Sequence, residues 1–129
     1  TDAKTVERMI VLADIQPGEL AVDLGCGDGR LLQAAAKAGA DTMGYELSLI
    51  LYLLARWRGV NVRYRNLWKA DVSQADVVFC YLVPRAAARF EREIWPRLKP
   101  SCRIVVNAFP LPNLKPIAAD GTVYRYDKI

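Results

Sequence analysis

Apolar positions change their period several times along the chain, and each change marks a new element. From Thr5 to Ala13, Val6, Met9, Ile10 and Ala13 recur at three- and four-residue spacing, one helical face, and Pro17-Gly18 stops that helix. "ELAVDLG" at 19–25 alternates briefly and then turns apolar around Asp23, the pattern of a central strand covered on both sides. The alanine- and leucine-rich stretch from Asp28 to Ala38 predicts a helix that Gly39 caps. A short strand, "TMGYE", leads to an apolar helix over 47–58 closed by Gly59, and "NVRYR" and "ADVVFCYLV" are the next strands, separated by "NLWKADVSQ". A charged amphipathic helix spans 85–98, with Pro96 kinking or shortening its last turn. "CRIVVNAF" gives a fifth strand, and "KPIAADGTVYRYDKI" reads as strand, turn near Asp120-Gly121, and final strand.

Strand and helix alternate from residue 19 to about 108, so right-handed crossovers should build a parallel sheet with helices on both faces. The expectation is one Rossmann-like α/β domain over residues 1–129. Its doubly wound, mostly parallel sheet has about seven strands and ends in a C-terminal antiparallel hairpin.

Composition narrows the chemistry. With 129 residues, 53% of them hydrophobic, there is enough chain for one real core. No apolar run approaches the roughly 18 residues of a bilayer span, and "TDAKTVERMIVLAD" is charged and helical rather than a secretory signal. Cys26, Cys80 and Cys102 are scattered among apolar or glycine-rich neighbours, as reduced intracellular thiols are. The absence of histidine and of any Cys-x-x-Cys argues against a metal catalyst. Net charge is +4, which permits contact with nucleic acid or an anionic membrane without demanding it.

The stretch "DLGCGDGR" concentrates the candidate chemistry. In a doubly wound sheet, ligands bind beyond the carboxyl ends of the strands where the strand order reverses, and this loop ends the first strand and opens the first crossover helix. Three alternate glycines let backbone approach a ligand closely, while helix N-terminal amides favour a negative group such as a carboxylate. Arg30 stands where the dinucleotide fingerprint needs its last glycine, so the spacing of Gly25, Gly27 and Gly29 favours a nucleoside cofactor without a pyrophosphate. Glu46, nineteen residues after Gly27, ends the second strand and can accept from ribose hydroxyls.

Together, "VDLGCGDGR", "GYEL", "NLW" and "TVYRYD" resemble class I S-adenosylmethionine-dependent methyltransferases. The longer stretches "NLWKADVSQADVVFCYLVP" and "RIVVNAFPLP" are similar to the small seven-strand protein lysine methyltransferases. That group includes the mitochondrial enzymes acting on the ATP synthase c-subunit and the ADP/ATP carrier, and an archaeal relative of broad specificity. The resemblance implies S-adenosylmethionine as cofactor. It implies that Gly25, Cys26, Gly27 and Gly29 wrap the methionine part, that Asp23 holds the loop and helps fix the ammonium, and that Glu46 takes the ribose. Asn66, where the family usually has aspartate, and Leu67 would meet the adenine. The relatives carry a short Tyr-Val-Pro-like segment before the first helix, and the mitochondrial ones a membrane-targeting segment. Neither stands in this sequence, and such a segment ahead of Thr1 would form part of a substrate lid.

Methyl transfer to an amine is an in-line displacement that alignment and water exclusion promote, and burial beside a sulfonium itself favours the neutral amine. Tyr81, Asn107 and Phe109, at the ends of the fourth and fifth strands, are the candidates for lining the amine channel. For Tyr81, plain strand packing stands as the alternative. Trp68 packs on adenine or core, and the 47–58 helix either covers the sheet or docks a membrane-embedded or other partner protein. The implied partner is a protein with an accessible lysine, with cytoplasm as the default compartment, or the mitochondrion after removal of a targeting segment. "YLVP" replaces the N/D-P-P-Y motif of many base methylators, which lowers the nucleic-acid reading. An RNA or small-molecule methyltransferase and a catalytically silent cofactor-binding subunit remain the rivals.

Overall fold

The alternation of strand and helix becomes a seven-stranded sheet in the computed structural model, which describes residues 2–129. Its strands are β1 (Leu20–Leu24), β2 (Asp41–Glu46), β3 (Val62–Tyr64), β4 (Val77–Tyr81), β5 (Arg103–Asn107), β6 (Ala118–Asp120) and β7 (Val123–Asp127). They lie in the order β3-β2-β1-β4-β5-β7-β6. The first five are parallel, β7 runs antiparallel to β5, and β6 closes the hairpin on β7. The expected architecture, including the C-terminal hairpin, is the one observed.

Four helices flank the sheet: α1 (Ala3–Ala13), α2 (Arg30–Lys37), α3 (Leu49–Trp57) and α4 (Pro84–Glu93). Their ends follow local chemistry. Asp2 caps α1 by accepting from the Thr5 N–H at 2.8 Å, which starts the helix earlier than its apolar face suggested. Pro84 sits in the first turn of α4, where no N–H is required. The same helix stops at Glu93, short of the expected 98, and a 3-10 turn at Trp95–Arg97 replaces its end because Pro96 has no N–H for a helical bond.

Two apolar layers hold the sheet. On one face, Val22, Leu24, Val78, Cys80, Ile104 and Val106 pack against Phe90 and Ile94, with Ala70, Val72 and Ala75 of the β3–β4 connection. On the other, Ala21, Val77, Phe79 and Val105 meet Met9 and Ala13 of α1 and Leu31 and Ala35 of α2. Helix α3 departs from the core reading: Ala55 is its one buried residue, and Leu49, Ile50, Leu53 and Trp57 face solvent.

Topology then locates a crevice. β1 and β4 are neighbours, but the chain leaves β1 through α2 toward β2 and leaves β4 through α4 toward β5. The connections diverge at the carboxyl ends of these strands, which opens space between them.

Candidate functional site

The loop after β1 is pinned before any ligand arrives. The N–H groups of Gly25 and Cys26 both donate to the Tyr45 carbonyl of β2, at 2.8 and 3.0 Å. Glu46 completes the clamp. Its Oε1 accepts from the Gly27 N–H at 2.8 Å, and its Oε2 accepts from the N–H groups of Leu47 and Ser48 at 3.0 and 2.9 Å. The loop is therefore held by Glu46, not by Asp23 as expected. A carboxylate has about four acceptor positions, so three backbone donors leave room for one further hydroxyl.

Gly25 and Gly27 take φ of +86° and +57°, and a Cβ on either would meet nothing within 4 Å. Both positions face open space that a ligand can fill. Gly29 is different. It precedes the first turn of α2 at φ +89°, and a Cβ there would stand 2.6 Å from Cγ2 of Val60. Its missing side chain lets α2 pack against the segment entering β3, a packing reason for glycine that the expected ligand role did not include.

Two depressions meet at Gly25. The first, about 240 Å³, is lined by Asp23, Cys26, Gly27, Tyr81 and Asn107, with Val6 and Met9 from the apolar face of α1 forming a wall. The second, about 320 Å³, runs past Glu46, Asn66, Leu67 and Trp68, with Arg65 and Arg89 at its sides. Phe109 lines neither, because β5 ends at Asn107 and the chain turns away at Ala108, whose φ is +83°.

Asp23 is the electrostatic anomaly of the first depression. It is 5% exposed and accepts no hydrogen bond among the described residues. Burial, with the charge of Glu46 beside it, pushes its carboxyl up to about 7. An unpaired carboxylate facing a cavity is costly unless a cation meets it. Cys26 is no nucleophile: burial and the neighbouring carboxylates push its thiol up to about 12. Burial also raises the Cys80 and Cys102 thiols, and all three cysteines are free.

At the mouth, Tyr81 is 58% exposed, so ordinary strand packing does not account for its ring. Asn107 is buried, and its Oδ1 accepts from the Thr122 hydroxyl at 3.1 Å. In the second depression, Asn66 Oδ1 already accepts from the Trp68 N–H at 3.0 Å, which shapes the 3-10 turn Leu67–Lys69. Trp68 packs on the core with its ring beneath the Arg89 guanidinium, 4.3 Å from centroid. Arg97 ties this turn to the end of α4 by donating to the carbonyls of Ala70, Trp68 and Glu93 at 2.9, 3.1 and 2.9 Å. Nothing in the sequence pattern marks that clip, because three carbonyl partners carry no side-chain signature.

Comparison with known proteins places this geometry. The family profile described as ANTKMT methyltransferase domain matches residues 23–118. A mouse protein named adenine nucleotide translocase lysine N-methyltransferase is 37% identical over 97% of this chain, which spans 60% of that protein's length. A protein-lysine N-methyltransferase of Saccharolobus islandicus is 31% identical over 98% of this chain and 89% of its own. The crystal structure of an RNA methyltransferase from Salinibacter ruber, in complex with S-adenosyl-L-homocysteine, superposes with a TM-score of 0.94 at 32% identity. It covers 99% of this chain and 92% of that one.

Proposed function

The chain belongs to the ANTKMT methyltransferase domain family, and from that premise we propose that it is an S-adenosylmethionine-dependent protein lysine N-methyltransferase. The observation that carries this reading is the pair of depressions meeting at Gly25, one with a buried, unpartnered carboxylate and the other with a carboxylate fixed by backbone. The donor set fits the cofactor. Asp23 receives its ammonium, Gly25 and Gly27 leave room for its methionine backbone, Glu46 offers its remaining acceptor position to the ribose, and Asn66, Leu67 and Trp68 border the adenine.

Bound there, S-adenosylmethionine supplies a methyl group on a sulfonium, an electrophile that needs no metal. The chain's own residues align and exclude. Val6 and Met9 close the methionine side against water, and the positive sulfur beside the approach favours the neutral form of an incoming lysine amine. Tyr81 and Asn107 border the approach of that amine. Alignment of this kind contributes up to roughly 7–11 kcal/mol in favourable systems, so a dedicated base is not required. The names of the mouse and Saccharolobus relatives support lysine as the acceptor and a protein as the substrate.

A second reading, methylation of RNA, is favoured by the Salinibacter structure, whose protein is described as an RNA methyltransferase. Incubating the chain with methyl-labelled S-adenosylmethionine and a cell extract holding soluble and membrane fractions separates the two. Label that resists nuclease and maps to lysine supports the proposal. Label released by nuclease establishes the second reading, and cofactor binding without transfer to any acceptor overturns both.

A further inference from the structure

The methionine end of S-adenosylmethionine carries an ammonium and a carboxylate on one carbon, so a site that takes the first must also take the second. Asp23 answers the ammonium. The loop after β1 is otherwise acidic, with Asp28 in the same lining and Glu46 bonded to the Gly27 N–H, and a ligand carboxylate among these groups is repelled unless a cation meets it. Among the described residues that line the first depression, Arg30 is the one cation.

The loop presents Arg30 with most of its guanidinium unused. Its Nε donates to Asp28 Oδ2 at 2.9 Å, and its backbone N–H donates to Asp28 Oδ1 at 3.3 Å. Nη1 and Nη2 make no hydrogen bond among the described residues. A planar fork with its outer donors unused matches a carboxylate, which accepts two parallel N–H bonds.

Charge counting points the same way. Asp28 also faces Arg58, whose Nη2 lies 3.9 Å from the same Oδ2. Two guanidinium groups share one carboxylate, so the cluster of Asp28, Arg30 and Arg58 keeps one positive charge uncompensated. Arg58 is the more enclosed, its side chain 29% exposed against 59% for Arg30, and its carbonyl accepts from the Gln33 side-chain amide at 3.2 Å. It is fixed behind Asp28, which leaves Arg30 to turn toward a ligand. As a surface ion pair alone, Arg30 with Asp28 would add little to stability.

We propose that Arg30 receives the carboxylate of the cofactor's methionine end, so that Asp23 and Arg30 together seat an amino-acid zwitterion. Asp28 is then a positioning residue that holds Nε and leaves the outer edge of the guanidinium to the ligand. The seat selects adenosyl sulfur compounds that keep the whole amino acid over those that have lost the carboxylate. This inference rests on the cofactor reading above and names the residue that makes that site selective.

The test is calorimetric titration of wild type, Arg30→Gln and Arg30→Lys with S-adenosylhomocysteine and with its decarboxylated analogue, which keeps the ammonium and lacks only the carboxylate. Wild type should prefer S-adenosylhomocysteine about tenfold or more, the range of a charge-assisted pair. Arg30→Gln should bind S-adenosylhomocysteine about tenfold more weakly and the analogue within about twofold of wild type, which erases the preference. Arg30→Lys keeps the charge without the fork and should retain part of it. A loss of equal size for both ligands would mark Arg30 as a brace of the loop and overturn the proposal, as would a preference that Arg30→Gln leaves intact. Wild type that binds neither ligand would contradict the cofactor reading itself, and this seat with it.

Discussion

The two depressions that meet at Gly25 solve opposite problems with the same functional group. In the first depression, Asp23 is buried without a partner, and its carboxyl is pushed up to about 7. In the second depression, Glu46 is satisfied by three backbone N–H groups before anything binds. One carboxylate stores unfavourable energy that a cation releases; the other spends its hydrogen bonds on holding the loop in shape. Affinity in such a site is divided between an electrostatic seat and a rigid frame.

Removing the seat has the largest expected effect. Asp23→Asn should weaken binding of S-adenosylhomocysteine more than about 100-fold in calorimetry, a loss of roughly 3 kcal/mol expected for a buried charge-assisted contact. The same variant should make the ligand-free protein more stable. A carboxyl whose folded value is raised contributes stability at low pH that is lost as pH rises from about 4, its unfolded value, to about 7. At pH 8 the asparagine variant should therefore melt several degrees above wild type.

Two glycines separate ligand room from packing. Gly29→Ala should cost about 2–3 kcal/mol of stability in denaturant titrations, from its positive φ and the collision with Val60, and Val60→Ala should recover part of it. Gly25→Ala meets no atom of the protein, so its stability cost should be only the about 1–2 kcal/mol of its positive φ, and ligand affinity should fall about tenfold besides. Loosening the frame comes next: Glu46→Gln sets an amide N–H against backbone donors and should lower affinity about tenfold, with faster exchange of the Gly27 amide. The smallest effect belongs to Arg97→Gln, which frees the turn at Leu67–Lys69. The KM for S-adenosylmethionine should rise about three- to fivefold with kcat unchanged.

Much of this was legible in the sequence because periodicity reports burial. The mostly parallel sheet and the closing hairpin follow from alternation, and "DLGCGDGR" with Glu46 marks the loop and its acidic partner. What escaped depends on contacts far apart in the chain. Gly29 looks like Gly25 and Gly27 in sequence, and only the approach of Val60 distinguishes them. Phe109 follows Asn107 closely, but the positive φ of Ala108 turns the chain away. For α3 the composition left covering the sheet and facing outward both open, since an apolar helix says nothing of which side has a neighbour.

The electrostatic seat is the centre of the account, and its direct test is calorimetric titration of S-adenosylhomocysteine into the wild-type chain across pH 5.5 to 8, a range chosen to bracket the value of about 7 at Asp23. The account predicts an association constant that climbs close to tenfold per pH unit in the acid range and levels above about 7, where the carboxyl has ionised. An affinity that stays flat across this range, or no binding at all, would contradict it.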